Sequence, residues 1–163
     1  MNNEVKEEFY PNGQLMSGGI FRNQMKDSTW VTFTESGLVS EISNYQNNEL
    51  QGPKTTFYIS GLENATGRIP YIKSNYKNGK LNGLRTVYFP NGKVAEQTNF
   101  VNNLKQGAYK KFTETGIVLE ESFFKNNEYD GLAIFRNDSG IVVSKGMFSK
   151  GLKTGTWEVL ENG

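Results

Sequence analysis

Gly83-Leu-Arg-Thr-Val-Tyr-Phe-Pro-Asn-Gly92-Lys-Val-Ala-Glu-Gln-Thr-Asn-Phe100-Val-Asn-Asn-Leu-Lys-Gln-Gly107 reads as one complete unit of strand, tight turn, strand and second turn. The rest of the chain repeats it. Gly83, Gly107, Gly131 and Gly155 stand 24 residues apart, as do the mid-unit glycines Gly92, Gly116 and Gly140, and upstream Gly13, Gly37 and Gly61. An aromatic follows five of these mid-unit glycines after eight residues: Phe21, Tyr45, Phe100, Phe124 and Phe148. A fixed period of this length marks a repeat architecture.

Two apolar segments of about six to eight residues in each repeat, bounded by Gly or Asn, leave no room for a helix of ordinary length. They are rich in Val, Ile, Thr and aromatics, the residues of a pleated, half-buried surface. In the second strand Val94, Glu96, Thr98 and Phe100 share one face, matched by Val39, Glu41, Ser43 and Tyr45 and by Val118, Glu120, Ser122 and Phe124. The opposite face changes from copy to copy: Ser40, Ile42, Asn44 against Ala95, Gln97, Asn99 against Leu119, Glu121, Phe123. The expected fold is all-β, an elongated single-layer antiparallel array of about six β-hairpin repeats. At about 4.8 Å between strands it would be roughly 60 Å long.

Residues 1–8 read as a polar lead-in and 9–163 as the repeat domain. Pro11-Asn12-Gly13 opens the first hairpin, and Asn-Gly suits a type I′ turn. Asp27 stands where later units carry glycine, in a unit that reads one residue longer before its turn. Ser60-Gly61 is the third mid-unit turn. From Gly61 to Tyr76 there are 15 residues instead of eight, which puts a seven-residue insertion within 62–74. Glu161-Asn-Gly163 is itself a turn signature.

Composition narrows the chemistry. Hydrophobic residues make up 36% of the 163, and 18 are glycine, a mix suited to a thin repeat sheet. The net charge of +1 supplies no field that draws the chain to nucleic acid or an anionic membrane. There is no cysteine and no histidine, and the three aspartates, Asp27, Asp130 and Asp138, recur at no metal-loop spacing. A thiol nucleophile, the commonest general base and the commonest zinc ligand are therefore missing. No Walker loop, dinucleotide fingerprint or nucleophile elbow is present. The expectation is no enzyme, no metal and no cofactor. Met1–Glu8 has neither a basic n-region nor an apolar h-region, and no apolar run reaches about 20 residues, so a cytoplasmic location is expected.

The pattern Tyr76-Lys-Asn-Gly-Lys-Leu-Asn-Gly83 followed by Val87-Tyr-Phe-Pro-Asn-Gly-Lys93 resembles the MORN repeat, in the divergent bacterial form of YwqK-type antitoxins. The resemblance runs over about residues 8–163 and weakens in the first two units and the insertion. It implies an array of antiparallel hairpins and, in the antitoxin branch, an immunity protein that neutralises a cognate toxin by occluding it. Other MORN arrays serve as scaffolds or membrane-surface modules. A phosphoinositide-binding module or a cell-wall glycan binder stands as the alternative.

Several motifs admit two readings. Glu41, Glu96 and Glu120 form a carboxylate row for a basic partner or, more economically, pair across strands with Lys or Arg. The recurring aromatics, Tyr76 included, form a core stripe or a sugar-stacking column. Lys77, Lys80, Lys105, Lys125, Lys150 and Lys153 sit in the links as solvated turn residues or as a basic edge. For a protein partner, with a monomer before binding, the expected contacts are Arg68, Tyr71 and Lys73 of the insertion and the outward Arg85 and Tyr109. Tyr and Arg are enriched in binding hot spots. The variable-face residues Leu119, Glu121 and Phe123 are the next candidates.

Overall fold

The structure, a computed structural model, describes residues 3–59, 63–64 and 67–160. The chain divides into two compact units, residues 1–81 and 82–163. The first holds β1 (Asn3–Phe9), β2 (Leu15–Arg22), β3 (Met25–Phe33), β4 (Val39–Gln46), β5 (Glu49–Leu50), β6 (Gly52–Phe57), β7 (Glu63–Asn64), β8 (Gly67–Arg68), β9 (Pro70–Lys77) and β10 (Lys80–Leu81). They run antiparallel in the order β1-β2-β3-β4-β6-β9, with β5 on β4, β10 on β9, and β7–β8 as a separate pair. The second unit holds β11 (Gly83–Tyr88), β12 (Val94–Val101), β13 (Leu104–Phe112), β14 (Val118–Lys125), β15 (Glu128–Tyr129), β16 (Gly131–Arg136), β17 (Val142–Ser149) and β18 (Leu152–Val159). Its order is β11-β12-β13-β14-β16-β17-β18, with β15 on β14. All regular structure among the described residues is strand, and each unit is the open hairpin meander that the period predicts.

The first mid-unit turn is not the type I′ turn expected of Asn12-Gly13. At the first mid-unit turn the Gly13 N–H donates to the Tyr10 carbonyl at 2.9 Å, and only Gly13 takes positive φ, 85°. That is a type I turn with Pro11 at its first corner, closed by a glycine bulge; it is not type I′. The same N–H bond recurs from Gly37 to Thr34, Gly92 to Phe89, Gly116 to Thr113 and Gly140 to Asn137. Positive φ at two successive residues, the mark of type I′, occurs in the links: Asn47-Asn48 (51° and 67°), Asn102-Asn103 (50° and 70°) and Asn126-Asn127 (51° and 71°). Asparagine tolerates the left-handed region better than other side chains, which is why the links carry it.

A bulge follows each link, and its residue takes positive φ: Gly52 at 87°, Gly107 at 89° and Gly131 at 116°. In the first link that residue is Ser28, at 58°. Ser28 therefore holds the glycine position, and Asp27 does not. Ser28 to Gly37 and Gly83 to Gly92 are both nine residues, so this unit has the regular length.

Two boundaries also move. Residues 3–9 form β1, paired along β2 from Asn3↔Arg22 to Phe9↔Leu15, in place of a lead-in. Every residue of β1 is exposed, so burial imposes no apolar alternation and the strand carries little pattern to read. The insertion lies between Phe57 and Pro70, because Phe57↔Pro70 is equivalent to Phe33↔Val39 and Tyr88↔Val94. Twelve residues separate the first pair and five the others, a difference of seven. Tyr71 and Lys73 thus belong to the regular strand β9. The turns expected at Ser60-Gly61 and Glu161-Asn-Gly163 lie outside the described residues.

The repeated face of each second strand is the core. Ser43, Thr98, Ser122 and Phe124 are buried, along with Trp30, Tyr109 and Ala133 on the facing strands. Ring contacts run Phe21–Trp30 in the first unit and Tyr109–Phe124–Tyr129–Phe148–Trp157 in the second, with centroids 4.4–5.5 Å apart. Each tryptophan lies over a glycine of the neighbouring strand. A methyl at Gly19 would sit 2.5 Å from the Trp30 indole, and one at Gly146 would strike Trp157 in the same way.

Candidate functional site

On the inward face, Glu41, Glu96 and Glu120 each accept a hydrogen bond from the hydroxyl two residues on, Ser43, Thr98 (2.9 Å) and Ser122 (2.8 Å). Period-two alternation places residues i and i+2 on one face, so the spacing Glu-x-Ser/Thr builds this contact into a single strand. Lys54 pairs with Glu41 at 2.9 Å and Arg85 with Glu96 at 3.5 Å. The Tyr109 hydroxyl donates to Glu96 (3.3 Å) and the Tyr129 hydroxyl to Glu120 (2.8 Å). Burial first, then the neighbouring carboxylates, raise both phenols, Tyr129 to about 12. The carboxylate row is engaged by cross-strand partners and is not an open cation site.

The link lysines divide. Lys105 lies over Tyr109 and Phe124 (5.2 and 4.9 Å) and Lys153 over Trp157 (4.1 Å), and Lys26 covers Trp30 at 4.1 Å. These three occupy one repeat position, the third after the first turn residue, and cap the aromatic stripe. They are more than solvated turn residues. The stack is worth about 0.5–1 kcal/mol at an exposed site.

The structure separates the residues expected to meet a partner. The Arg68 guanidinium donates to the carbonyls of Val39 and Tyr58 (2.6 Å for the latter) and packs on the Phe57 ring, so it fastens the extension to the sheet. Arg85 and Tyr109 are not outward. Arg85↔Thr98 and Thr98↔Tyr109 are register pairs, which puts both on the inward face. Alternation read along each first strand misses this, because the link bulge resets its phase. Tyr71 and Lys73 are exposed on the outward side of β9, with the Tyr71 ring 5.0 Å from Tyr58.

Leu119, Glu121 and Phe123 face outward on β14, as the alternation predicts. Leu119 lines a shallow depression with Phe89 and Phe112. Glu121 pairs with Lys110 (3.0 Å) and Arg136 (2.7 Å), and these two cations hold its carboxyl below the usual range. Phe123 (48% exposed), Leu132 (42%) and Met147 (47%) are exposed apolar side chains on three successive strands, Leu132 paired with Met147 and Phe123 against Gly131, the residue before Leu132. Beside them, Lys110, Glu121, Ile134, Lys145 and Glu158 stand in one continuous register across five strands. Sequence reasoning stopped at β14. The signal was present in the period, since Lys110, Ile134 and Glu158 stand 24 apart, as do Glu121 and Lys145.

The family model described as MORN repeat variant matches residues 5–23, 81–102 and 105–126. Repeats of this type suggest a repeat-based binding module. No curated protein matches the chain significantly. No helix among the described residues is long and apolar enough to cross a membrane.

Proposed function

We propose that the chain is a non-catalytic protein-binding module, an immunity protein that neutralises a toxin by covering its working surface. One observation carries the reading. At the first two equivalent outward positions the side chains change from copy to copy, Ser40 and Ile42, Tyr71 and Lys73, Leu119 and Glu121, and at the third Phe123 replaces the asparagine of Asn44 and Asn75. The inward face repeats because it is the core. The outward face escapes that constraint and is open to fit a partner by shape and charge. The partner contact is placed at Tyr71 and Lys73, an exposed aromatic and an exposed cation beside the only break in the period.

The test is co-expression with the protein encoded immediately upstream of this chain's gene. A stable complex and relief of growth arrest are expected. Tyr71→Ala with Lys73→Ala should weaken the complex by at least tenfold, the scale of a lost hot spot. Absence of any complex, with retention on phosphoinositide liposomes or cell-wall glycan instead, would favour the alternative modules.

A further inference from the structure

We propose that the outward face of β13–β18 is self-complementary and pairs with a second copy of this chain, face to face, about a two-fold axis running along β16. Read across the strands, the row Lys110, Glu121, Ile134, Lys145, Glu158 carries the charges plus, minus, none, plus, minus. Reversed, it reads minus, plus, none, minus, plus. A two-fold axis parallel to the strands through β16 lays the row on its own reversal. Lys110 then faces Glu158 of the second copy, Glu121 faces Lys145, and Ile134 faces itself. The same operation sets Phe123 against Met147 and Leu132 against Leu132, so apolar meets apolar in the adjacent row.

An interface of this kind is isologous, each contact occurring twice. Aligned sheets pack about 10 Å apart, a separation these side chains span. The charge nearest the axis outside the pattern is Arg136, which Glu121 holds toward β14 at 2.7 Å. Five strands at about 4.8 Å spacing by about 20 Å of strand give a footprint of about 500 Å² per copy, or about 1,000 Å² in all. That is the lower bound for a specific interface, so the dimer is weak and concentration-dependent. The apolar row supplies most of the affinity; the charge row sets the orientation. Tyr71 and Lys73 take no part, so the inference stands apart from the toxin reading.

Sedimentation equilibrium of the full chain tests it. The weight-average mass should rise above the 18.4 kDa monomer with concentration. Glu121→Lys and Lys145→Glu should each associate at least tenfold more weakly. An equimolar mixture of the two should recover the association, because each supplies the charge that the other now lacks a partner for. Leu132→Asp, its β-sheet circular dichroism intact, should stay monomeric. A wild-type chain monomeric to millimolar concentration overturns the proposal. So does a mixture no more associated than its components, or undiminished association of Leu132→Asp. Protection of β14–β17 from hydrogen exchange by the upstream-encoded protein, with no self-association, would assign the face to that partner instead.

Discussion

Tyr109 and Tyr129 show how a thin sheet keeps polar atoms in its core. Each phenol is flanked by rings and donates a hydrogen bond to a glutamate of the neighbouring strand, Glu96 or Glu120. Both phenols are raised above the ordinary value of 10.0, so the folded chain favours the neutral form. The stability tied to them is fully present below pH 10 and is lost as pH rises through the folded values, toward 12 for Tyr129. Thermal melting should therefore fall steeply above pH 10. In Tyr109→Phe and Tyr129→Phe chains that decline should flatten, at the cost of a lower melting point at neutral pH. Equal slopes in wild type and variants would overturn the assignment. Sequence spacing put the glutamates on one face with Ser43, Thr98 and Ser122; it could not show that these hydroxyls bond to them or that Tyr109 turns inward, because the bulge after Gln106 decides which face Tyr109 takes.

At the scale of the element, the link between hairpins carries the repeat. Its turns join one another within each unit. Asn48 N–H donates to the Lys26 carbonyl while its side-chain Oδ1 accepts from Lys26 N–H, and Asn127 does the same with Lys105. Gln51 and Gln106 accept from the first residue of the next link, Asn78 and Asn126. These exchanges satisfy backbone groups that a sheet edge would otherwise leave to water. Ser28 is the weak point, since its φ of 58° costs a non-glycine residue about 1–2 kcal/mol. Ser28→Gly removes that strain, offset by about 0.5–1 kcal/mol of unfolded-chain entropy. A net gain of about 0.5–1 kcal/mol in denaturant unfolding is expected. A loss of stability would show that the Ser28 hydroxyl bond to Asp27 outweighs the strain.

At the scale of the molecule, contacts between successive hairpins make each unit a sum of neighbouring interactions. Residues 82–163 expressed alone should show a β-sheet circular dichroism spectrum and a cooperative melt; a spectrum without a melting transition would sink that expectation. The period alone determined the fold class, the two strands and two turns of each regular unit and the repeated and variable faces of the second strands. Glycine, asparagine and β-branched residues answer to local backbone geometry, and local geometry is legible along a chain. Only the tertiary structure decided the turn types, the role of Ser28, the phase of the first strands after each bulge and the removal of Arg68, Arg85 and Tyr109 from the outward surface. Those features depend on register, and a bulge changes register by one residue without leaving a mark in the alternation.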